Sequence, residues 1–249
     1  MRGDAGVPVR LRFSKHGPVR FISHRDVARA FERAFRIVEL PLAFSAGFSP
    51  HPKVSFGPAL AVGYESDAEY LDLELTREVD LAWLVDAVSD GLPEGMAVVA
   101  AVPLADRAPS LQEGIAALGY EVELTGITPG DLGPVVDAFV AADTVEVTVT
   151  RKGEERVDDI RPSVLALHRP RPAEATIVVE VATRPRTLRV ADVVNGLRAV
   201  SPDAGALEER RVVRTHQWIE RGGARHEPLD VDRRSDAPEG AARALEACA

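Results

Sequence analysis

The sequence contains a single cysteine, and this shortage of thiols excludes several kinds of site. Cys248 is the penultimate residue of the 249-residue chain. An intramolecular disulfide framework and a cysteine-rich zinc site are therefore excluded. An iron–sulfur cluster normally takes several thiolate ligands. We expect this chain to bind no iron–sulfur cluster, no metal ion and no other cofactor of its own.

Long apolar runs are also missing. The longest, residues 97–102, is far shorter than the roughly 20 residues that a membrane helix needs. Residues 1–9 lack the apolar core of a signal peptide. These features predict a cytoplasmic protein without a membrane segment. The P-loop, GxSxG, HExxH and dinucleotide-binding patterns are absent too, which weakens the case for several common enzyme classes.

The composition is that of a folded protein, but its charge is uneven. Hydrophobic residues make up 45% and charged residues 28% of the chain, and its length suits two domains of about 100 residues. The formal net charge is −9, yet residues 1–60 carry ten Lys and Arg against four Asp and Glu. This segment also holds three of the six histidines, His16, His24 and His51. Its local charge favours an anionic partner.

Alternating and helical patterns predict an α+β fold. Val9, Leu11 and Phe13 alternate with two arginines, an apolar helix stripe covers residues 24–38, and YLDLEL at residues 70–75 alternates again. A helix near residues 81–88 and a strand near 96–102 follow. This order predicts a ferredoxin-like βαββαβ unit.

The second half repeats the pattern. Strands are predicted at residues 120–124, 144–150, 175–181 and 212–219, and helices at residues 132–141 and 190–197. We predict two ferredoxin-like units packed together, covering residues 7–104 and 115–220, followed by a flexible tail at residues 222–249. The Pro- and Arg-rich segment at residues 161–172 (RPSVLALHRPRP) predicts no particular element.

The first helix has a marked start and a basic face. Ser23 can cap it, and Asp26 stands three residues later as the acidic member of a capping box. Four arginines recur at spacings of four, four and three residues, so they share one side of the helix. We call these the arginine ridge: Arg25, Arg29, Arg33 and Arg36. By default such a ridge is a solvated helix face.

The loop after this helix, FSAGFSPHPKVSF at residues 44–56, has a path set by glycine and proline. Pro50 and Pro52 flank His51 and restrict its backbone. Serine hydroxyls, Lys53 and three phenylalanines suit a phosphate-bearing or nucleotide-like ligand. The alternative is a purely structural loop, in which the phenylalanines lie in the core and the serines bond turn amides.

These patterns define a predicted site. The candidate ligand-binding residues are His24, Arg25, Arg29, Arg33, Ser45, Gly47, Phe48, Pro50, His51, Lys53 and Ser55. The candidate catalytic residues are His51 or His24 as general acid or base, with Glu65 as an acidic partner.

Three stretches of sequence resemble a known family. VRFISHRD, LPLAFSAGFSPHPKVSFGPALAVGYES and AEYLDLEL are similar to the radical-SAM-linked protein family, an uncharacterised domain fused to, or encoded beside, a radical SAM protein. The resemblance covers residues 9–75, and VDDIRP at residues 157–162 is similar to a second, shorter motif. Arg25 stands where the family pattern has leucine. The resemblance implies a partner that is a separate radical SAM protein.

Three hypotheses follow. The leading one is an accessory or substrate-binding protein that binds RNA or another phosphate-rich ligand. The second is an enzyme, a transferase or hydrolase, that uses the loop histidine. The third is a protein–protein module whose arginine ridge binds an acidic partner.

Overall fold

A computed structural model describes residues 6–105, 108–151, 154–201, 204–231 and 234. The chain forms two units, one made of residues 1–115 and 217–249 and the other of residues 116–216. Both combine helices with mostly antiparallel strands, so the protein is an α+β protein. The sequence placed all of residues 115–220 in the second unit, whereas residues 217–220 belong with the first.

The first unit is built on an antiparallel sheet. Its elements are β1 (Val7–Lys15), a 3-10 helix (Gly17–Phe21), α1 (His24–Ile37), β2 (Val54–Phe56), β3 (Glu65–Leu75), α2 (Leu81–Gly91), β4 (Met96–Pro103) and the short α3 (Leu111–Gly114). The strand order is β4-β1-β3, and β2 also pairs with β3. The alternation of apolar side chains in β1 and β3 directs one face of this sheet toward α1 and α2.

The second unit has a comparable order of elements. They are β5 (Ile115–Thr125), α4 (Pro129–Ala141), β6 (Glu146–Arg151), β7 (Glu154–Asp159), a 3-10 helix (Arg161–Ser163), β8 (Val164–His168), β9 (Thr176–Ala182), α5 (Val190–Val200) and β10 (Glu208–Arg221). The strand order is β10-β5-β9-β8. The strand predicted at residues 144–150 is β6, but it pairs with β7 in a separate hairpin. The unassigned segment 161–172 supplies β8.

Helix α1 begins where its cap predicts. The Ser23 hydroxyl oxygen accepts from the Asp26 amide at 3.3 Å, and the hydroxyl donates to Oδ2 of Asp26 at 2.7 Å. The apolar stripe then packs into the core, where the rings of Phe13 and Phe31 meet edge to face at 4.7 Å. Ala34 of the same stripe lies against Gly91 of α2, since a Cβ at Gly91 would approach the Cβ of Ala34 to 3.1 Å.

Residues 222–231, which the sequence prediction assigned to a flexible tail, include a strand and buried residues. Here β11 (Ala224–His226) pairs with β10, and Leu229 and Val231 are buried. Glu227 accepts a hydrogen bond from Nη1 of Arg12 at 3.0 Å. The sequence pattern placed Arg10 and Arg12 on the face of β1 opposite its apolar residues, and both bind this segment. The rest of the predicted tail, apart from Arg234, lies outside the described residues.

Two further observations concern the described residues alone. No helix among them is both long enough and apolar enough to cross a membrane. They also contain no group of three or more His, Cys, Asp or Glu side chains placed to hold a metal ion.

Candidate functional site

The arginine ridge is exposed on the outer face of α1. Arg29 forms an ion pair with Asp26, with Nη1 and Oδ1 3.2 Å apart. Arg25, Arg33 and Arg36 have no acidic partner among the residues that the structure describes. Because nothing on the described surface neutralises these three guanidinium groups, they are available to an external anion.

Arg29 and Arg33 also border a groove between α1 and α2. Its volume is about 880 Å³, and its walls are largely apolar, with Ile22, Ala30, Ile37, Val38 and Leu92. Asp26 and Asp90 lie in the same lining. Asp26 is paired with Arg29, so the unpaired positive charge of the ridge lies on Arg33 at the edge of this groove and on Arg25 and Arg36 outside it.

Residues 44–52 fold back on themselves, and we call them the loop hairpin. Phe44 and Pro52 form an antiparallel bridge, and the Ser45 amide donates to the His51 carbonyl at 2.9 Å. The Ser45 hydroxyl oxygen accepts from the His51 amide at 3.0 Å. The backbone of His51 is thus held from both sides while its imidazole stays exposed.

The tip of the loop hairpin carries a fully exposed aromatic ring. Gly47 has a φ of 135°, a backbone conformation that favours glycine. The side chain of the following residue, Phe48, is fully exposed to solvent. Pro50 and Ser45 complete the predicted loop residues at this end. The structural alternative, in which all three loop phenylalanines lie in the core, holds for Phe56 but not for Phe48 or Phe44.

Lys53 is neutralised rather than available. Its Nζ donates to both carboxylate oxygens of Glu74, at 2.8 and 2.9 Å. Lys53 and the exposed Ser55 line a shallow groove of about 380 Å³ together with Ser45, His51 and Asp72. A ligand phosphate at Lys53 would have to compete with Glu74, so this residue is a weaker anion contact than the arginines.

A second groove, of about 500 Å³, joins the loop hairpin to the last turn of α1. We call it the terminal groove; its lining is Glu32, Phe35, Arg36, Glu39, Leu40, Leu42, Phe44, His51 and Pro52. Here His51 of the loop and Arg36 of the ridge share one concave surface. The sequence-based site omitted Glu39, Phe44 and Arg36, although Arg36 was visible in the spacing of the ridge.

His24 lies in a different place, at the first residue of α1. Its ring meets Phe56 edge to face at 5.4 Å and borders a small pocket with Lys15, Glu69 and Tyr70. The pocket has room for about one water molecule, with a volume of about 10 Å³. The sequence-based site also missed Lys15 and Glu69. Both continue the alternation of β1 and β3 on its buried face, but a charged residue does not extend an apolar pattern, so neither was selected.

Glu65 contacts a histidine other than the two candidates. Its Oε1 accepts from the Gly17 amide at 2.9 Å and lies 3.5 Å from Nη1 of Arg20. The nearby imidazole is that of His16, whose Nδ1 is 3.9 Å from Oε2 of Glu65 and whose Nε2 is 2.8 Å from Oδ1 of Asp67. The predicted residues therefore lie in several places: the arginine ridge, the grooves beside the loop hairpin, the His24 pocket and the Glu65 cluster.

Comparisons with known proteins assign the chain to a family. The sequence matches none of the curated proteins with which it was compared. Among solved structures, the crystal structure of a Cbf5-Nop10-Gar1 complex matches with a TM-score of 0.45 and 11% sequence identity, over 86% of this chain and 50% of that chain. This chain thus spans half of that one, and a similarity so remote carries no argument about function. Residues 9–191 match the model of a family described as "Uncharacterized protein conserved in bacteria (DUF2344)", and the chain belongs to that family.

Proposed function

We propose that the first unit binds RNA or another phosphate-rich ligand along the arginine ridge, as an accessory or substrate-binding protein with no catalytic activity of its own. The observation that supports this is the presence of three exposed arginines without an acidic partner among the described residues. They lie on one helix of a chain whose formal net charge is −9. An anionic strand would be attracted to this face and repelled by much of the remaining surface.

The geometry of a helix suits this role. Residues 25–36 of α1 span about 16 Å at the rise of an α-helix, which is long enough to follow several consecutive phosphates. Guanidinium groups bind phosphate oxygens through two parallel hydrogen bonds, which a lysine cannot do. A ridge made only of arginines therefore suits a row of phosphates.

The salt dependence of RNA binding tests the proposal. Each phosphate contact with a single strand contributes a slope of about −0.7 to log K against log salt, so the three arginines without an acidic partner predict a slope of about −2. Filter retention of a single-stranded RNA across a salt series measures it. The proposal fails if the protein shows no affinity at low salt, or an affinity that salt does not change.

A charge reversal in the ridge localises the contact. Arg33→Glu should lower RNA affinity by about tenfold or more and flatten the salt slope, since one contact is replaced by a repulsion. Arg77→Glu is the matched control, because Arg77 is exposed, lacks an acidic partner among the described residues and lies off α1. Equal losses in the two variants would place the effect in net charge and not in the ridge. If Arg33→Glu no longer bound an acidic partner protein in a pull-down but still bound RNA, the result would favour a protein–protein module.

Two finer statements belong to the proposal. The resemblance to radical-SAM-linked proteins supports presentation of the ligand to a separate radical SAM protein in the cytoplasm, which co-purification of the two proteins would test.

The strand orders β4-β1-β3-β2 and β10-β5-β9-β8 support ferredoxin-like units, each with two crossing helices. In the second unit this requires β6 and β7 to be an insertion between α4 and β8.

A further inference from the structure

Helix α1 ends in a conformation that favours glycine, yet the residue there is a glutamate. The Leu40 amide donates to the Phe35 carbonyl at 2.9 Å and the Glu39 amide to the Arg36 carbonyl at 3.3 Å. These two bonds form a Schellman motif, whose central position normally holds glycine in the left-handed region. Glu39 occupies it with a φ of 52°. Such a side chain is a steric cost to the fold.

No structural contact explains this glutamate. Glu39 is exposed, and its carboxylate has no hydrogen bond or ion pair with any described residue. The residue lines the terminal groove, beside Arg36, Phe44 and His51. A strained residue at a concave surface, with an unused polar group, indicates that the group serves a ligand.

The other residues of the terminal groove indicate the kind of ligand. The groove volume of about 500 Å³ lies within the range of small-molecule sites. Phe44 is 55% exposed, so its ring is accessible for stacking. Glu32 and Glu39 outnumber Arg36, so a phosphate is disfavoured inside the groove and a neutral group with hydrogen-bond donors is favoured.

We propose that the terminal groove holds one unpaired base of the RNA strand, stacked on Phe44, with its exocyclic amino group donating to the carboxylate of Glu39. This inference rests on the proposed function, because the arginine ridge carries the phosphates that bring the base to the groove. Adenine, cytosine and guanine each carry an exocyclic amino donor, whereas uracil has none and presents the O4 acceptor, which would face another acceptor. The groove thus selects amino-bearing bases over uracil, and single strands over duplexes.

Homopolymer binding tests the selection. Fluorescence anisotropy with twelve-nucleotide adenylate, cytidylate and uridylate strands should show at least one amino-bearing strand binding about tenfold or more tightly than uridylate, the value of one good base contact. Glu39→Gln should reduce this preference several-fold, because an amide can also donate to O4 of uracil. Asp86→Asn removes the same charge from the exposed side of α2 and should leave the preference unchanged. An unchanged preference in Glu39→Gln, or an equal change in both variants, overturns the assignment.

The stacking contact has its own matched pair. Phe44→Tyr keeps the ring and should retain affinity, whereas Phe44→Leu keeps an apolar side chain without a π-face and should weaken single-strand binding by about fivefold or more. Equal affinities of the two variants would contradict stacking. Glu39→Gly should bind amino-bearing strands less well while its melting temperature is equal to or above that of the wild type, which separates ligand binding from folding.

The failures of the two proposals are distinguishable. Salt-dependent binding that does not distinguish the homopolymers, or that favours duplex RNA equally, overturns the base site and leaves the arginine ridge in place. Absence of salt-dependent binding to any RNA overturns both.

Discussion

Arg10 offers the sharpest test of how the first unit is held together. Its side chain is completely buried, and its guanidinium binds Asp72 through Nε to Oδ1 at 2.7 Å and through Nη2 to Oδ2 at 2.9 Å. Nη1 also donates to the carbonyl oxygen of Pro228 at 3.1 Å, and Nη2 to that of Pro109 at 3.3 Å. Asp72→Asn would remove the only full negative charge in this set and leave a buried guanidinium with neutral acceptors.

The burial of this ion pair determines how much stability Asp72→Asn should lose. Removing one member of a buried ion pair costs about 3–5 kcal/mol. The Asp72 side chain keeps 19% exposure, and the two carbonyls stay in place, so we expect a value near the lower end, about 3 kcal/mol. For a chain of this length that corresponds to a fall in melting temperature of roughly 10 °C.

Chemical denaturation of Asp72→Asn against the wild type measures this loss. The double variant Arg10→Met, Asp72→Leu is the control, because replacing both charges with apolar side chains is often neutral or stabilising. It should recover most of the lost stability. A loss below about 0.5 kcal/mol in Asp72→Asn would show that water reaches Arg10, and would refute the claim that a buried charge on β1 binds the Pro228 carbonyl.

Two further predictions concern local geometry. The hydrogen bond from Ser23 lowers the pKa of Asp26, so the carboxylate's contribution to α1 is complete above the unfolded value near 3.9 and disappears as the pH falls through the lower folded pKa. Ser23→Ala should therefore raise this pKa in an NMR titration, and an unchanged pKa would contradict the cap. Gly126 has a φ of 77°, and a Cβ there would overlap the carbonyl oxygen of Ala206. Gly126→Ala should lower the free energy of unfolding by about 2 kcal/mol or more, and an unaffected denaturation midpoint would be inconsistent with this turn.

The sequence predicted best what depends on neighbouring residues. The helix predicted at residues 24–38 is α1, His24–Ile37, with Ser23 as its cap. The alternation at residues 70–75 falls within β3. Caps and periodicities are local, because the atoms that form them are a few residues apart. They can be recognised without knowledge of what packs on them.

Strand pairing was harder to predict, because its partners are distant in sequence. The alternation at residues 144–150 correctly indicates a strand, but nothing in it distinguishes a hairpin with β7 from the place beside β9. That place belongs to β8, whose five residues are preceded by Pro162 and followed by further prolines. Likewise, Arg10 lies on the face of β1 opposite its apolar residues, where the pattern suggests contact with solvent. Its guanidinium is instead buried and donates to the carbonyl oxygens of Pro109 and Pro228.

Only some residues of the terminal groove could be predicted from the sequence. The spacing of the arginines and the proline-flanked His51 are local signals, and both were found. The groove itself exists because the chain turns back after Glu39, pairs Leu42 with Leu75 and then closes the loop hairpin. This path brings Phe44 and His51 beside Arg36. The sequence does not mark Glu39 as unusual, because only its positive φ shows that glycine would suit this position better. The strongest argument for a ligand therefore comes from a residue that the sequence alone gives no reason to select.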